Sequence, residues 1–252
     1  GFTQVIGSPE APYMNSLAKS GLLFTNFFAI THPSQPNYLQ LYSGSNQGMT
    51  TNSDPAGTPF TTSNLGAAII AAGRSFATYS EDLPDVGSNV SAALAYVRRH
   101  NPCANWQAAA PGLNQIPLSS NRPFFSPAPV SQPFFGDCGT PSDFSALPTV
   151  TIVVPNLDND MHDGTIQQAD AWLQSWISPY AEWAQTHNSM LVIAWDEDNS
   201  ASRNHIPMIF VGPMVRQGQN DVMFTLHNLL RTVEDMYGAA PSGSAAKVRP
   251  IV

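Results

Sequence analysis

Apolar positions in the first eighty residues fall into short runs. Residues 11–20, Ala-Pro-Tyr-Met-Asn-Ser-Leu-Ala-Lys-Ser, predict a short helix that Gly21 stops. The apolar and aromatic run from Leu22 to Ile30 predicts a strand leading into Thr31-His32-Pro33-Ser34, and Ser34 between two prolines reads as a stiff turn. A second helix is expected from Ser63, as N-cap, to Gly73, followed by a strand over Ser75 to Tyr79. From residue 149 the pattern becomes regular. Thr149 to Pro155, Met190 to Trp195 and Ile206 to Val211 are apolar and β-branched, as buried strands are. Ile166, Ala169, Trp172, Leu173, Trp176 and Ile177 recur at helical spacing, and so do Leu226, Leu229, Leu230, Val233 and Met236. This alternation predicts an α/β fold with a mainly parallel central sheet covered by helices on both faces. Residues 101–148 carry many prolines and little periodicity and are expected to form a loop or cap. No linker or repeat interrupts the chain, so residues 1–252 are read as a single domain.

Composition narrows the partners. Charged residues make up only 11%, and the net charge is −8 with no run of basic residues. Nucleic acid and anionic membranes both favour clustered Lys and Arg, so neither is an expected partner. No apolar stretch approaches the roughly 20 residues that span a bilayer. Cys103 and Cys138, within the Pro- and Ser-rich segment, suit a disulfide in an oxidising compartment, which predicts a secreted or periplasmic protein.

The chemistry concentrates at strand ends. Asp158, Asp160, His162 and Asp163 follow one predicted strand, Asp196, Glu197 and Asp198 the next, and His205 precedes the third. Ligands of such sheets bind beyond the carboxyl ends of the strands. Crowded carboxylates repel one another, and a cation would neutralise them. Carboxylate with imidazole suits zinc, iron or manganese, and calcium would lean on the oxygens. Ser34 would need a base or a metal to become a nucleophile. No Gly-x-Ser-x-Gly elbow is present, so an α/β-hydrolase reading has no support.

Five blocks then resemble one family. His32-Pro33-Ser34-Gln35-Pro36-Asn37-Tyr38 with Ser43-Gly44 is similar to the nucleophile motif of the phosphoesterase family that holds acid phosphatases and bacterial non-specific phospholipases C, within the alkaline phosphatase superfamily. Val154-Pro155-Asn156-Leu157-Asp158-Asn159-Asp160-Met161-His162-Asp163 and Ala194-Trp195-Asp196-Glu197-Asp198-Asn199 resemble its acidic blocks. Asn204 to Pro213 and Arg231 to Tyr237 complete the series in family order.

The resemblance implies an alkaline phosphatase-like sheet and a hydrolase of small phosphate monoesters. Ser34 would attack phosphorus and form a phosphoserine that water cleaves, while Asn37 donates to a phosphoryl oxygen. Asp196 and Glu197 would hold a divalent metal (Ca, Zn, Fe, Mn or Mg) that also binds Ser34. Asp158 and His162 with His205 resemble a second metal triad, and Asp160 is the alternative carboxylate. In the acid phosphatases these positions instead bind phosphate, with protonated histidine helping the leaving oxygen depart. Asp163 and His100 are further candidates for the phosphate side. The family begins with a strand ending in a Glu-Asn metal-ligand pair just upstream of a segment like Gly1–Gly7, and that strand is expected to be missing here. The rivals are a phospholipase C-like diesterase and, from another class, a non-catalytic secreted domain that binds calcium or carbohydrate.

Overall fold

The computed structural model describes residues 1–125 and 144–251. In chain order its principal elements are α1 (Phe2–Val5), α2 (Pro12–Ser20), β1 (Leu22–Phe24), α3 (Ser34–Ser43), α4 (Leu65–Ala71), β2 (Phe76–Ser80) and β3 (Asn121–Pro123). There follow β4 (Val150–Val154), α5 (Ile166–Ala184), β5 (Leu191–Ala194), β6 (Met208–Val211), β7 (Gly218–Asn220) and α6 (Leu226–Met236). These fall into two compact units, each built from separate stretches of chain.

One unit comprises chiefly Gly1–Ala29 and Leu157–Phe224. Its four-stranded sheet has the order β5-β6-β1-β7. β6 pairs antiparallel with both β5 and β1, and only β1 with β7 is parallel. Leu17, Leu23, Ala181, Ile193, Ile209 and Val211 form the core between the sheet and helices α2 and α5. The start of α2 is fixed by an unusual cap. Its N-cap position is Ala11, which has no side-chain acceptor, and Pro12 opens the helix. Buried Asp170 of α5 supplies the acceptor, with one oxygen 3.0 Å from the Tyr13 N–H and the other 2.7 Å from that of Met14. The leading N–H groups of any helix lack intrahelical partners, so this carboxylate both satisfies two of them and ties α2 to α5.

The other unit comprises residues 30–125, Leu147–Asn156 and the chain from Thr225 onward. Its sheet, β3-β2-β4, is wholly parallel, with Thr78 opposite Ile152 and Tyr79 opposite Arg122. Leu39, Tyr42, Ile69, Phe76, Trp106 and Leu230 belong to one buried cluster that joins α3, α4 and α6 to this sheet. The mixed α/β architecture agrees with the sequence reading, and the parallel pairing lies mainly in this unit.

Three local expectations change. The run from Leu22 to Ile30 forms two short strands, β1 and Phe27–Phe28, rather than one. The cap of α4 is Asn64, not Ser63: its side chain accepts from the Ala67 N–H at 2.9 Å. The Pro-rich segment is not wholly a loop, because Asn121–Pro123 enters the sheet as β3. A buried set of carboxamides orders the stretch before it. Asn101 Nδ2 donates to Asn121 Oδ1 at 2.8 Å, and Asn121 Nδ2 donates to Gln107 Oε1 at 3.0 Å. Such side-chain pairing leaves no apolar period for a sequence reading to detect.

Cys103 is fully buried, and its thiol donates to the Ser120 carbonyl at 3.6 Å. Burial pushes that thiol up to about 12. Cys138 lies outside the described residues, and among those described Cys103 forms no disulfide. No helix among the described residues is long and apolar enough to cross a membrane.

Glu234 of α6 is fully buried, and its Oε1 accepts the Ser242 N–H at 2.8 Å. Burial pushes its carboxyl up to about 7 against the opposing pull of Ser242 and Arg231. Below the ordinary value near 4.5 the folded and unfolded chains are both protonated at this group, and its contribution is fully present. Between about 4.5 and about 7 only the unfolded chain sheds the proton, so stability falls by up to about 3 kcal/mol as pH rises. Thermal unfolding followed from pH 4 to 8 should therefore show Glu234→Gln flattening that decline, with a higher Tm than the parent protein at pH 8.

Candidate active site

The candidate residues divide between the two units. Ser34 is the first residue of α3, a ten-residue helix, so the expected stiff turn is a helix start. Prolines at positions 33 and 36 suit a first turn, where their missing N–H groups would lack intrahelical partners in any case. That signal, with Gly44 one residue past the end of the helix, could have revealed α3 in the sequence. Gly44 sits in the left-handed region at φ 65° and its N–H returns to Gln40 O at 2.8 Å.

Ser34 is buried at 3% exposure, at the positive end of the helix dipole, where negative charge is favoured. Asn37, one turn later and fully buried, faces the approaching chain. Its Oδ1 accepts from the N–H groups of Ile30 at 3.1 Å and Thr31 at 2.9 Å, and its Nδ2 donates to the Thr31 carbonyl. Pro33, at the N-cap, has no side-chain acceptor, and the Gln35 N–H instead donates to Asn52 Oδ1 at 3.0 Å. Asn52 drew no attention in the sequence, because nothing there marks a loop residue as a cap for a distant helix. Tyr38 stacks on the buried ring of His100, with centroids 5.1 Å apart, so His100 does join the α3 neighbourhood. His227 packs against the same helix, its Nε2 2.8 Å from Gln40 Oε1, and burial lowers its pKa.

The other candidates lie in the first unit. The turn from Asp158 to Gly164 is closed by Asp163 N–H on the Leu157 carbonyl at 2.9 Å. Within it, the His162 N–H donates to Asp160 Oδ1 at 2.8 Å. The His162 Nδ1–H lies 2.7 Å from Asp163 Oδ1, so Asp163 orients the ring and both side chains stay substantially exposed. Asp160 is therefore a brace of the turn as well as a carboxylate near it.

Asp198 accepts N–H bonds from Ser200 and Ser202 at 2.7 Å and from Asn204 at 3.1 Å. It shapes the 198–204 loop and is buried there, which separates its task from those of Asp196 and Glu197. The His205 ring lies between Phe2 and Phe28, with centroids 4.4 and 5.1 Å away, and its Nε2 meets the Thr25 carbonyl at 3.0 Å. Among the described residues no three or more His, Cys, Asp or Glu gather so as to hold a metal ion.

The Phosphoesterase family matches residues 6–240. A phosphatidylinositol-3-phosphatase of Mycobacterium tuberculosis is 42% identical over 247 residues, which is 98% of this chain and 76% of that protein. An acid phosphatase of Aspergillus fumigatus is 28% identical over 91% of this chain, which spans only 51% of the fungal protein. A solved protein of the alkaline phosphatase superfamily from Vibrio parahaemolyticus shares the fold, with a TM-score of 0.60 at 12% identity over 97% of this chain and 65% of that one.

The acidic turn depends on Gly164, where an added Cβ would overlap the Asp158 carbonyl oxygen. Gly164→Ala should destabilise the protein by about 1–3 kcal/mol in denaturant titration. It should also speed hydrogen exchange at the Asp163 amide, which closes the turn.

Proposed function

The chain belongs to the Phosphoesterase family and is a phosphoric ester hydrolase; from that premise we propose that it cleaves phosphate monoesters through a covalent phosphoserine at Ser34. The observation that carries this reading is the placement of Ser34, within the family motif, as the leading residue of α3. A tetrahedral oxyanion bonded to that hydroxyl would lie at a positive helix end, the place in a fold best suited to a phosphoryl group. The monoester preference draws on the relatives, a phosphatidylinositol-3-phosphatase and several acid phosphatases by name.

In the proposed reaction the Ser34 Oγ attacks phosphorus in line with the leaving group, the P–O bond to that group breaks as the Oγ–P bond forms, and the hydroxyl proton passes by way of a phosphoryl oxygen to the departing oxygen, which leaves as the alcohol. Water then cleaves the phosphoserine, releasing inorganic phosphate and restoring the hydroxyl. The second N–H of the Asn37 amide is assigned to a phosphoryl oxygen, its first being given to Thr31.

Replacing Ser34 by Ala should lower phosphate release from p-nitrophenyl phosphate by at least about 10³-fold while substrate binding persists. Turnover within tenfold of the parent would refute the nucleophile. Release of phosphocholine from phosphatidylcholine faster than phosphate from the monoester would instead favour the diesterase.

A further inference from the structure

We propose that Asn52 is a positioning residue for the Ser34 hydroxyl, acting as the missing cap of α3. The inference rests on the reading of Ser34 as nucleophile and adds a residue outside every motif that led to it.

A helix begins with four N–H groups that have no partner within it. In α3 two of these do not exist, because Pro33 occupies the N-cap position and Pro36 the third helical one. Proline at the N-cap also removes the side-chain oxygen that Ser, Thr, Asp or Asn would supply there. The Gln35 N–H, on the peptide that joins it to Ser34, is met by Asn52 Oδ1 at 3.0 Å from seventeen residues away. Gln35 itself is fully buried, so its backbone is gripped from the core on one side and from Asn52 on the other. The same solution appears at α2, where Ala11 cannot cap and Asp170 reaches across to the first turn. There the acceptor joins two helices. Here it fixes the peptide plane next to the proposed nucleophile.

The consequence concerns orientation rather than binding. Without Asn52 the first turn of α3 can rotate or fray, and the Ser34 Oγ loses its line of approach to phosphorus. An error of about 1 Å in such a group costs up to about 10²-fold in rate. Binding of the ester depends less on that angle, so the loss should fall on kcat.

The test compares Asn52→Ala with Asn52→Asp on p-nitrophenyl phosphate. Alanine deletes the acceptor, whereas aspartate keeps an oxygen for the Gln35 N–H. We expect Asn52→Ala to lower kcat about tenfold with KM within about twofold of the parent. Asn52→Asp should restore kcat, and any repulsion of the anionic substrate by its new charge should appear in KM. Hydrogen exchange at the Gln35 amide should be fast in the alanine variant and slow in the other two proteins. The proposal is overturned if Asn52→Ala keeps the parent kcat, if both variants lose kcat alike, or if the loss lies in KM alone. If Ser34→Ala itself retains turnover, the nucleophile reading fails, and Gln35 exchange still reports separately whether Asn52 caps the helix.

Discussion

Unpartnered N–H groups at a helix start are the constraint around which this protein is arranged. Both α2 and α3 begin with or just after proline, and neither has an acceptor at its N-cap. In each case a side chain from elsewhere in the same unit completes the turn: Asp170 for α2 and Asn52 for α3. Local sequence therefore fixes where these helices start, while tertiary structure determines how firmly. For α3 the arrangement places Ser34 at a polar, positively polarised end with a buried helix behind it.

The acidic strand ends follow a different logic. Three of their carboxylates meet backbone N–H groups or imidazole. Asp198 is consumed by its own loop, Asp160 by the N–H of His162, and Asp163 by the His162 ring. Backbone amides and an oriented imidazole relieve like-charge repulsion much as a cation would, and at close range. The acidic turns are thus braced in part by their own backbone.

What could be read from the sequence divides along these lines. Strands β4, β5 and β6 and helices α5 and α6 were plain, because burial imposes a period on their side chains. The family motifs placed Ser34, His162 and the acidic turns in order. Helix α3 was missed, since His-Pro-Ser-Gln-Pro looks like a turn to any rule that treats proline only as a breaker. Asn52, Asp170 and the carboxamides at 101, 107 and 121 were invisible for another reason: each acts through one long-range hydrogen bond, and no local pattern encodes its partner. The antiparallel pairing of β6 with β1 escaped as well, because an apolar run reveals burial but not the direction of its neighbour.

The carboxamides of the Pro-rich segment also constrain how this region can diverge. Asn121 gives to Gln107 and to the Ser88 carbonyl and receives from Asn101. Changing it alone would leave donors and acceptors of its neighbours stranded in the interior, which is far costlier than replacing interacting partners together. Substitutions here should accordingly spread through descendants in concert, so that a stretch resembling freely varying loop would drift as a linked block.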